Sequence, residues 1–266
     1  STMNAEALEQ LKLRTALHWA LDQRQFVLHY QPQIDLASGR VVGVEALVRW
    51  QRSPEELLLP GRFIPTAEES GLIVPIGDWI LQEACAQAVR WQQQGLPELT
   101  MAVNLSAVQF RRGDLLHSVT QALTQSGLEP ARLELELTES LLIEDAEEVL
   151  EKLRRFKALG VCLSIDDFGT GYSSLAYLKR FAVDKLKIDQ SFVRDIVSDP
   201  DDAAIVRAII SMARSLKLKV IAEGVETAEL ANFLHLYQCH EAQGYHYARP
   251  MPADALAQWL SDYAVR

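Results

Sequence analysis

The sequence predicts an α/β fold, a modified (β/α)8 TIM-type barrel with one antiparallel strand, on three observations. Short β-branched or apolar runs alternate with longer amphipathic stretches, which is the pattern of βα units and a mostly parallel sheet. Eight such runs occur, the number that closes a barrel. The first connection, Asp35 to Arg40, is only a turn with Ser38-Gly39 as its breaker, so the first two strands pair as a hairpin and one of them runs against the rest.

The elements follow in order. Asn4 to Arg24 places Leu8, Leu11, Ala16, Leu17, Ala20 and Leu21 at helical spacing, and residues 1–24 are expected to be a linker helix leading into a barrel over 25–266. The strand candidates are Phe26 to Tyr30, Val41 to Val48, Thr100 to Leu105, Arg132 to Leu137, Val161 to Ile165, Lys185 to Ile188, Lys217 to Ala222 and Glu241 to Gly244. The amphipathic stretches between them are Asp78 to Gln94, Leu115 to Ser126, Ala146 to Leu159, Leu175 to Phe181, Ala203 to Leu216 and Ala228 to Tyr237. Ser1-Thr2-Met3 reads as an added start, and the leading helix as a connector from a domain upstream.

Composition narrows the function classes. With 266 residues, 48% hydrophobic and 23% charged, the chain can bury one sizeable core, and its length suits a single α/β barrel. A net charge of −10 disfavours a nucleic-acid polymer as partner, because gripping a phosphate backbone needs clustered Lys and Arg. A small anion remains open if cations bridge it to the protein. Cys85, Cys162 and Cys239 lie far apart, without disulfide or zinc spacing, which points to a reducing, cytoplasmic compartment. No apolar run is long enough to span a bilayer, so no membrane contact by this domain is expected.

Chemistry enters through position. Barrel strands that run into polar residues place chemistry on the catalytic face, and this sequence does so repeatedly. Gln31 ends the first strand, Glu45 lies in the second, Asn104 ends the third and Glu136 the fourth, and Asp166 and Asp167 close the fifth. Lys187, Glu223 and Gln243 mark the last three. Any one acid has a plain reading as a solvated residue or a helix cap. Five carboxylates at one mouth repel by roughly 4 kcal/mol per contact pair at an effective dielectric near 20, and cations relieve that. An all-oxygen set with one amide suits Mg2+ or Mn2+ rather than zinc, and the adjacent pair Asp166-Asp167 suits two ions. His18, His29, His117, His235, His240 and His246 form no metal-binding pair and read as surface or packing residues. Lys187 reads either as a structural ion pair or as a group that holds water or offsets transition-state charge. The run Phe168-Gly169-Thr170-Gly171-Tyr172-Ser173-Ser174 is a glycine-punctuated loop before a helix, a weak signal alone.

At these residues the sequence resembles the EAL-domain cyclic di-GMP phosphodiesterases, from about Leu8 to Leu260. The carriers are Glu45-Ala46-Leu47-Val48-Arg49-Trp50, Tyr30-Gln31-Pro32, Val103-Asn104-Leu105-Ser106, Glu136-Leu137-Thr138-Glu139, Asp166-Asp167-Phe168-Gly169, Lys187-Ile188-Asp189, Glu223-Gly224-Val225-Glu226 and Gln243-Gly244-Tyr245. The resemblance implies that Glu45, Asn104, Glu136 and Asp166 hold one metal and Asp166, Asp167 and Glu223 a second. It implies a catalytic set of Lys187, Glu223, Asp167 and Glu139, with Lys187 assisting the nucleophilic water and Glu139 anchoring the loop after Asp167. Gln31, Leu47, Arg49, Asp189 and Gln243 would contact the dinucleotide, Arg49 near a phosphate. The implied reaction is hydrolysis of cyclic di-GMP to linear pGpG with two Mg2+ or Mn2+ ions, with Ca2+ inhibitory. A homodimer and an upstream sensory or GGDEF domain are implied too. Departures are Ala182 in Phe181-Ala182-Val183-Asp184, where a Pro is usual, then Gln51 and the Leu57 to Leu59 run. A catalytically silent receptor for the same nucleotide and an enolase-like barrel with Lys187 as base are the alternatives.

Overall fold

The computed structural model describes residues 2–142, 146–171 and 175–264. Its strands are β1 (Phe26–Asp35), β2 (Val41–Ser53), β3 (Glu56–Leu58), β4 (Thr100–Leu105), β5 (Leu133–Thr138), β6 (Cys162–Phe168), β7 (Lys185–Ile188), β8 (Lys219–Ala222), β9 (Glu241–Ala242) and β10 (Met251–Pro252). Eight of them close a ring in the order β1, β2, β4, β5, β6, β7, β8, β9 and back to β1, while β3 and β10 pair on its outside edges. From β2 round to β9 every neighbour is parallel, whereas β1 is antiparallel to both β2 and β9. The single reversed strand expected from the short first turn is therefore present.

That reversal corrects one inference. In a strand that runs backwards the C-terminal end points away from the mouth, and β1 continues to Asp35 rather than stopping at Tyr30. Gln31 consequently does not end its strand. It sits mid-strand and reaches the mouth because the hairpin register sets it opposite Glu45. Other boundaries also move. The β8 strand begins at Lys219 because Lys217, at φ 60, takes the left-handed turn that leaves the preceding helix, Pro200–Ser215. The helix Ile73–Gln93 starts before Asp78, with Gly77 inside it, because a Cβ at 77 would fall 1.7 Å from the Gln109 side chain. Gln109 belongs to a capping box with Ser106 that opens the helix Ala107–Arg112. That helix, the helix Ile64–Ser70 and the C-terminal helix Ala253–Tyr263 were not anticipated from periodicity. The Leu57–Leu59 run, a departure from the family pattern, lies in and just after the edge strand β3.

Two surfaces of the ring do different work. Outward side chains such as Val44, Ala46, Trp50, Leu133, Leu135, Leu163 and Leu186 are buried under the helices and form the apolar core. Each fully buried side chain of this size contributes roughly 1.5–3 kcal/mol. The helix Thr2–Ala20 joins the same core through Leu17 and Ala20. Inward positions carry polar groups: Gln31 and Gln33, Glu45, Glu134 and Glu136, Ser164, Lys185 and Lys187, Glu241 and Gln243 are all buried. Barrel interiors are more often filled by branched apolar residues. Among the described residues no helix is long and apolar enough to cross a membrane.

Candidate active site at the barrel mouth

The signature stretch of β2 alternates. Val44, Ala46, Val48 and Trp50 face the helices, Trp50 touching the rings of Phe26 and Phe63, so Glu45, Leu47 and Arg49 face the barrel interior and climb toward its rim. Glu45 Oε1 accepts from Asn104 Nδ2 at 2.6 Å, and its Oε2 accepts from Gln243 Nε2 at 2.5 Å. Gln243 Nε2 also donates to Gln31 Oε1 at 2.9 Å, and Gln31 Nε2 donates to Ala248 O at 3.0 Å.

Lys187 stands at the centre with no exposed surface. Its Nζ lies 2.6 Å from Glu136 Oε2 and 2.8 Å from Glu223 Oε1, with Glu45 Oε2 and Asp166 Oδ1 each at 3.6 Å. Burial works against its charge, but Glu136 first, then Glu223, Glu45 and Asp166, hold the ammonium well above its ordinary pKa. Burial pushes Glu136 well above the carboxylate range despite Lys187. Glu45 goes the other way: burial raises it, but Lys187 and the hydrogen bonds from Gln243 and Asn104 prevail and hold it low. Glu223 is pushed up to about 8 by burial, against the pull of Lys187 and with Asp166 and Glu45 adding repulsion. Asp167 is pushed up to about 6 by burial, then by Asp166 and by Asp189.

Asp166, Asp167 and Glu223 each offer an oxygen within 4.8 Å of the others, an acidic cluster that can hold a metal ion. Glu136 Oε1 is buried without a hydrogen-bond partner. Every donor in the set is oxygen, as hard divalent cations require, so the residues fit such a group. Asp167 takes φ 54, a left-handed conformation that Asp tolerates better than most residues, at the irregularity between Ile165 and Phe168 where β6 shifts register against β7. Glu139 Oε2 then accepts from Gly169 N at 2.9 Å and Gly171 N at 3.2 Å, tying the start of the loop to the end of β5. Tyr172, Ser173 and Ser174, the rest of that loop, lie outside the described residues. Asp189 caps the helix Gln190–Val193 by accepting from Ser191 N at 2.8 Å. Arg49 is buried with Nη1 donating to Val48 O at 2.9 Å, and Leu47 is half-buried. Each singled-out residue thus lies toward one end of the barrel, and the acids, amides and Lys187 form one network.

One layer deeper the strands place a second network that the strand-end reading missed. Lys185 Nζ lies 2.9 Å from Glu134 Oε2 and 2.7 Å from Glu241 Oε2, and Gln33 Nε2 donates to Gln243 Oε1 at 3.1 Å. The signal was available: Gln31/Gln33, Glu134/Glu136, Ser164/Asp166, Lys185/Lys187 and Glu241/Gln243 are polar pairs two residues apart in otherwise apolar strands. A pocket of about 1200 Å³ opens on this basal side, lined by Gln33, Glu134, Lys185 and Glu241 among others. On this side Lys185 meets Glu134 and Glu241, while Glu134 Oε1 and Gln33 Oε1 are buried without a hydrogen-bond partner.

Fold and site together define a class: a (β/α)8-type barrel with one reversed strand, whose mouth gathers five carboxylates around a buried lysine. The chain belongs to the EAL domain family, whose sequence profile matches residues 12–250. It is 50% identical over 256 residues to the bifunctional diguanylate cyclase/cyclic di-GMP phosphodiesterase MucR of Pseudomonas aeruginosa, covering 96% of this chain and 37% of that protein. It is 45% identical over 264 residues to the cyclic di-GMP phosphodiesterase PdeR of Escherichia coli, covering 99% of this chain and 40% of that protein. The chain therefore spans about two fifths of the length of these relatives. A solved PaMucR phosphodiesterase in complex with c-di-GMP superposes with a TM-score of 0.89 at 49% identity, covering 92% of this chain and 99% of that one.

Proposed function

We propose that this chain hydrolyses one phosphodiester bond of cyclic di-GMP to give linear pGpG. The carrying observation is the imbalance at the mouth, where the Lys187 ammonium lies within 3.6 Å of Glu45, Glu136, Asp166 and Glu223, with Asp167 beside them. The family's named phosphodiesterases support the substrate. Glu45, Asn104, Glu136 and Asp166 would hold one cation and Asp166, Asp167 and Glu223 a second, Mg2+ or Mn2+ by the oxygen donor set. Such ions, when bound, neutralise phosphate charge and activate water as a nucleophile.

The chain's own groups divide the remaining work. An ammonium donates and cannot accept, so Lys187, kept charged by its carboxylates, orients water and offsets developing negative charge rather than taking a proton. Glu223 and Asp167, pushed up to about 8 and about 6 by burial, hold protons more tightly than ordinary carboxyls until a cation binds there. Glu139 keeps the loop after Asp167 in place through two backbone amides. Gln31, Leu47, Arg49, Asp189 and Gln243 contact the dinucleotide in this reading, with Arg49 offering its guanidinium to a phosphate.

The test is direct. The chain is incubated with cyclic di-GMP and Mg2+ or Mn2+, pGpG is followed, and the assay is repeated with Glu45→Ala and Asp166→Ala. Tight binding without product would overturn hydrolysis and leave the receptor reading. Ca2+ should lower turnover, because its looser coordination does not hold two ions in alignment, and equal turnover in Ca2+ would remove that geometric argument. The same proposal includes a homodimer, checked by sedimentation, a cytoplasmic setting, and residues 1–24 as a connector from an upstream sensory or GGDEF domain.

A further inference from the structure

The geometry points to Gln33 as a positioning residue for the site, acting through Gln243; this rests on the phosphodiesterase reading above. Gln33 is fully buried and lies one inward position below Gln31 on β1. Its Nε2 donates to Gln243 Oε1 at 3.1 Å. Gln243 in turn gives Nε2 to Glu45 Oε2 at 2.5 Å and to Gln31 Oε1 at 2.9 Å. With Nε2 turned to Glu45 and Gln31, Gln243 presents its carbonyl oxygen downward, toward Gln33. A donor is then needed below, and Gln33 supplies it.

Two features show that the chain gives something up for this arrangement. With its NH2 committed to Gln243, Gln33 is left with Oε1 buried and without a hydrogen-bond partner. Facing Gln33 across the hairpin is Gly43, and a Cβ there would lie 2.7 Å from Gln33 Oε1 and 3.0 Å from Thr100 O. A side chain is thus omitted from β2 where the Gln33 amide must pass. An apolar residue at 33 would remove the orphaned acceptor, and packing alone would favour it. What it could not do is fix which face of the Gln243 amide meets Glu45 and the dinucleotide.

The experiment compares wild type with Gln33→Leu and, as a second apolar substitute, Gln33→Met. Kinetics with cyclic di-GMP are combined with NMR of the Gln243 side-chain NH2, assigned by its disappearance in Gln243→Leu. In both variants the Gln243 NH2 signals should shift and lose exchange protection, and KM should rise about tenfold, the low end for removing an outer partner of a site ligand. The melting temperature should stay at or above the wild-type value. Folded variants with unchanged Gln243 signals and unchanged KM overturn the inference, and so does failure of both variants to fold, which would make Gln33 a packing residue. If wild type yields no pGpG but the Gln243 signals still respond to Gln33→Leu, the phosphodiesterase reading falls while the positioning role stands.

Discussion

Lys185 and Lys187 stand two residues apart on one strand, face the same interior and are both buried, yet they occupy opposite electrostatic situations. At the base, Lys185 meets Glu134 and Glu241, and Lys219 reaches Glu241 Oε1 at 3.5 Å, so two ammonium groups answer two carboxylates. At the mouth one ammonium answers five carboxylates, counting Asp167. A closed, balanced set holds a barrel together, while an unbalanced one is costly to fold and is useful only if cations complete it. The two layers therefore separate a charge-balanced ion cluster from an unbalanced one within a single strand.

The largest expected contrast is in activity. Glu45→Ala or Asp166→Ala should lower kcat by at least about 100-fold, the upper range for losing even an outer partner of a metal ligand. Glu241→Gln at the base should leave turnover per folded molecule within about threefold, as expected for a group that touches no reacting atom. Similar losses from both ends in a pGpG assay would erase the distinction.

Next comes stability. Lys185→Met and Lys187→Met each break a buried ion pair and should cost about 3–5 kcal/mol in urea unfolding. Millimolar Mn2+ should restore much of that loss for Lys187→Met and none for Lys185→Met, because added cations can replace a positive charge only where oxygen ligands converge. Equal rescue of both variants would contradict the comparison.

The carboxylates at the mouth should also make the protein's stability depend on pH. Glu223 and Asp167 have folded pKa values raised to about 8 and about 6. The native state therefore keeps protons that the unfolded chain has shed, and stability falls as pH rises from the ordinary carboxylate range toward about 8. Lys185 is pushed above its ordinary value and does not titrate in that window. Urea midpoints measured without divalent cation should decline across it, and Mn2+ should flatten the slope. A cation-free slope of zero would show that the cluster is already balanced.

The smallest effect belongs to the rim of the base, where Arg132 Nη2 and Glu98 Oε2 pair at 2.7 Å on a largely exposed surface. Glu98→Ala should cost about 0.2–1 kcal/mol by thermal denaturation and leave activity unchanged.

Much of this was legible from the chain alone, and the limits of that reading follow from geometry. The carboxylates, Asn104 and Lys187 could be picked out because parallel strands deliver their C-terminal residues to a common mouth. The same rule failed for Gln31, which reaches the mouth from the middle of a reversed strand. Helices such as Ala107–Arg112 went unnoticed because six residues are too few to show a period, although the Ser106-Gln109 capping box was there to be read. Lys217 was placed in a strand because its left-handed backbone leaves no mark on an alternation pattern.

Strand periodicity and turn length are local properties, so the ring of strands, its reversed member and the set of polar groups offered to one end are written in the chain. Which of those groups meet depends on how the ring closes. Alternation tells that Lys185 and Lys187 share a face, but ring closure and register settle that one is neutralised by Glu134 and Glu241 while the other is left outnumbered. Contacts across the barrel join residues far apart in the chain, such as Gln33 and Gln243, and a hydrogen bond between them has no local trace in either segment.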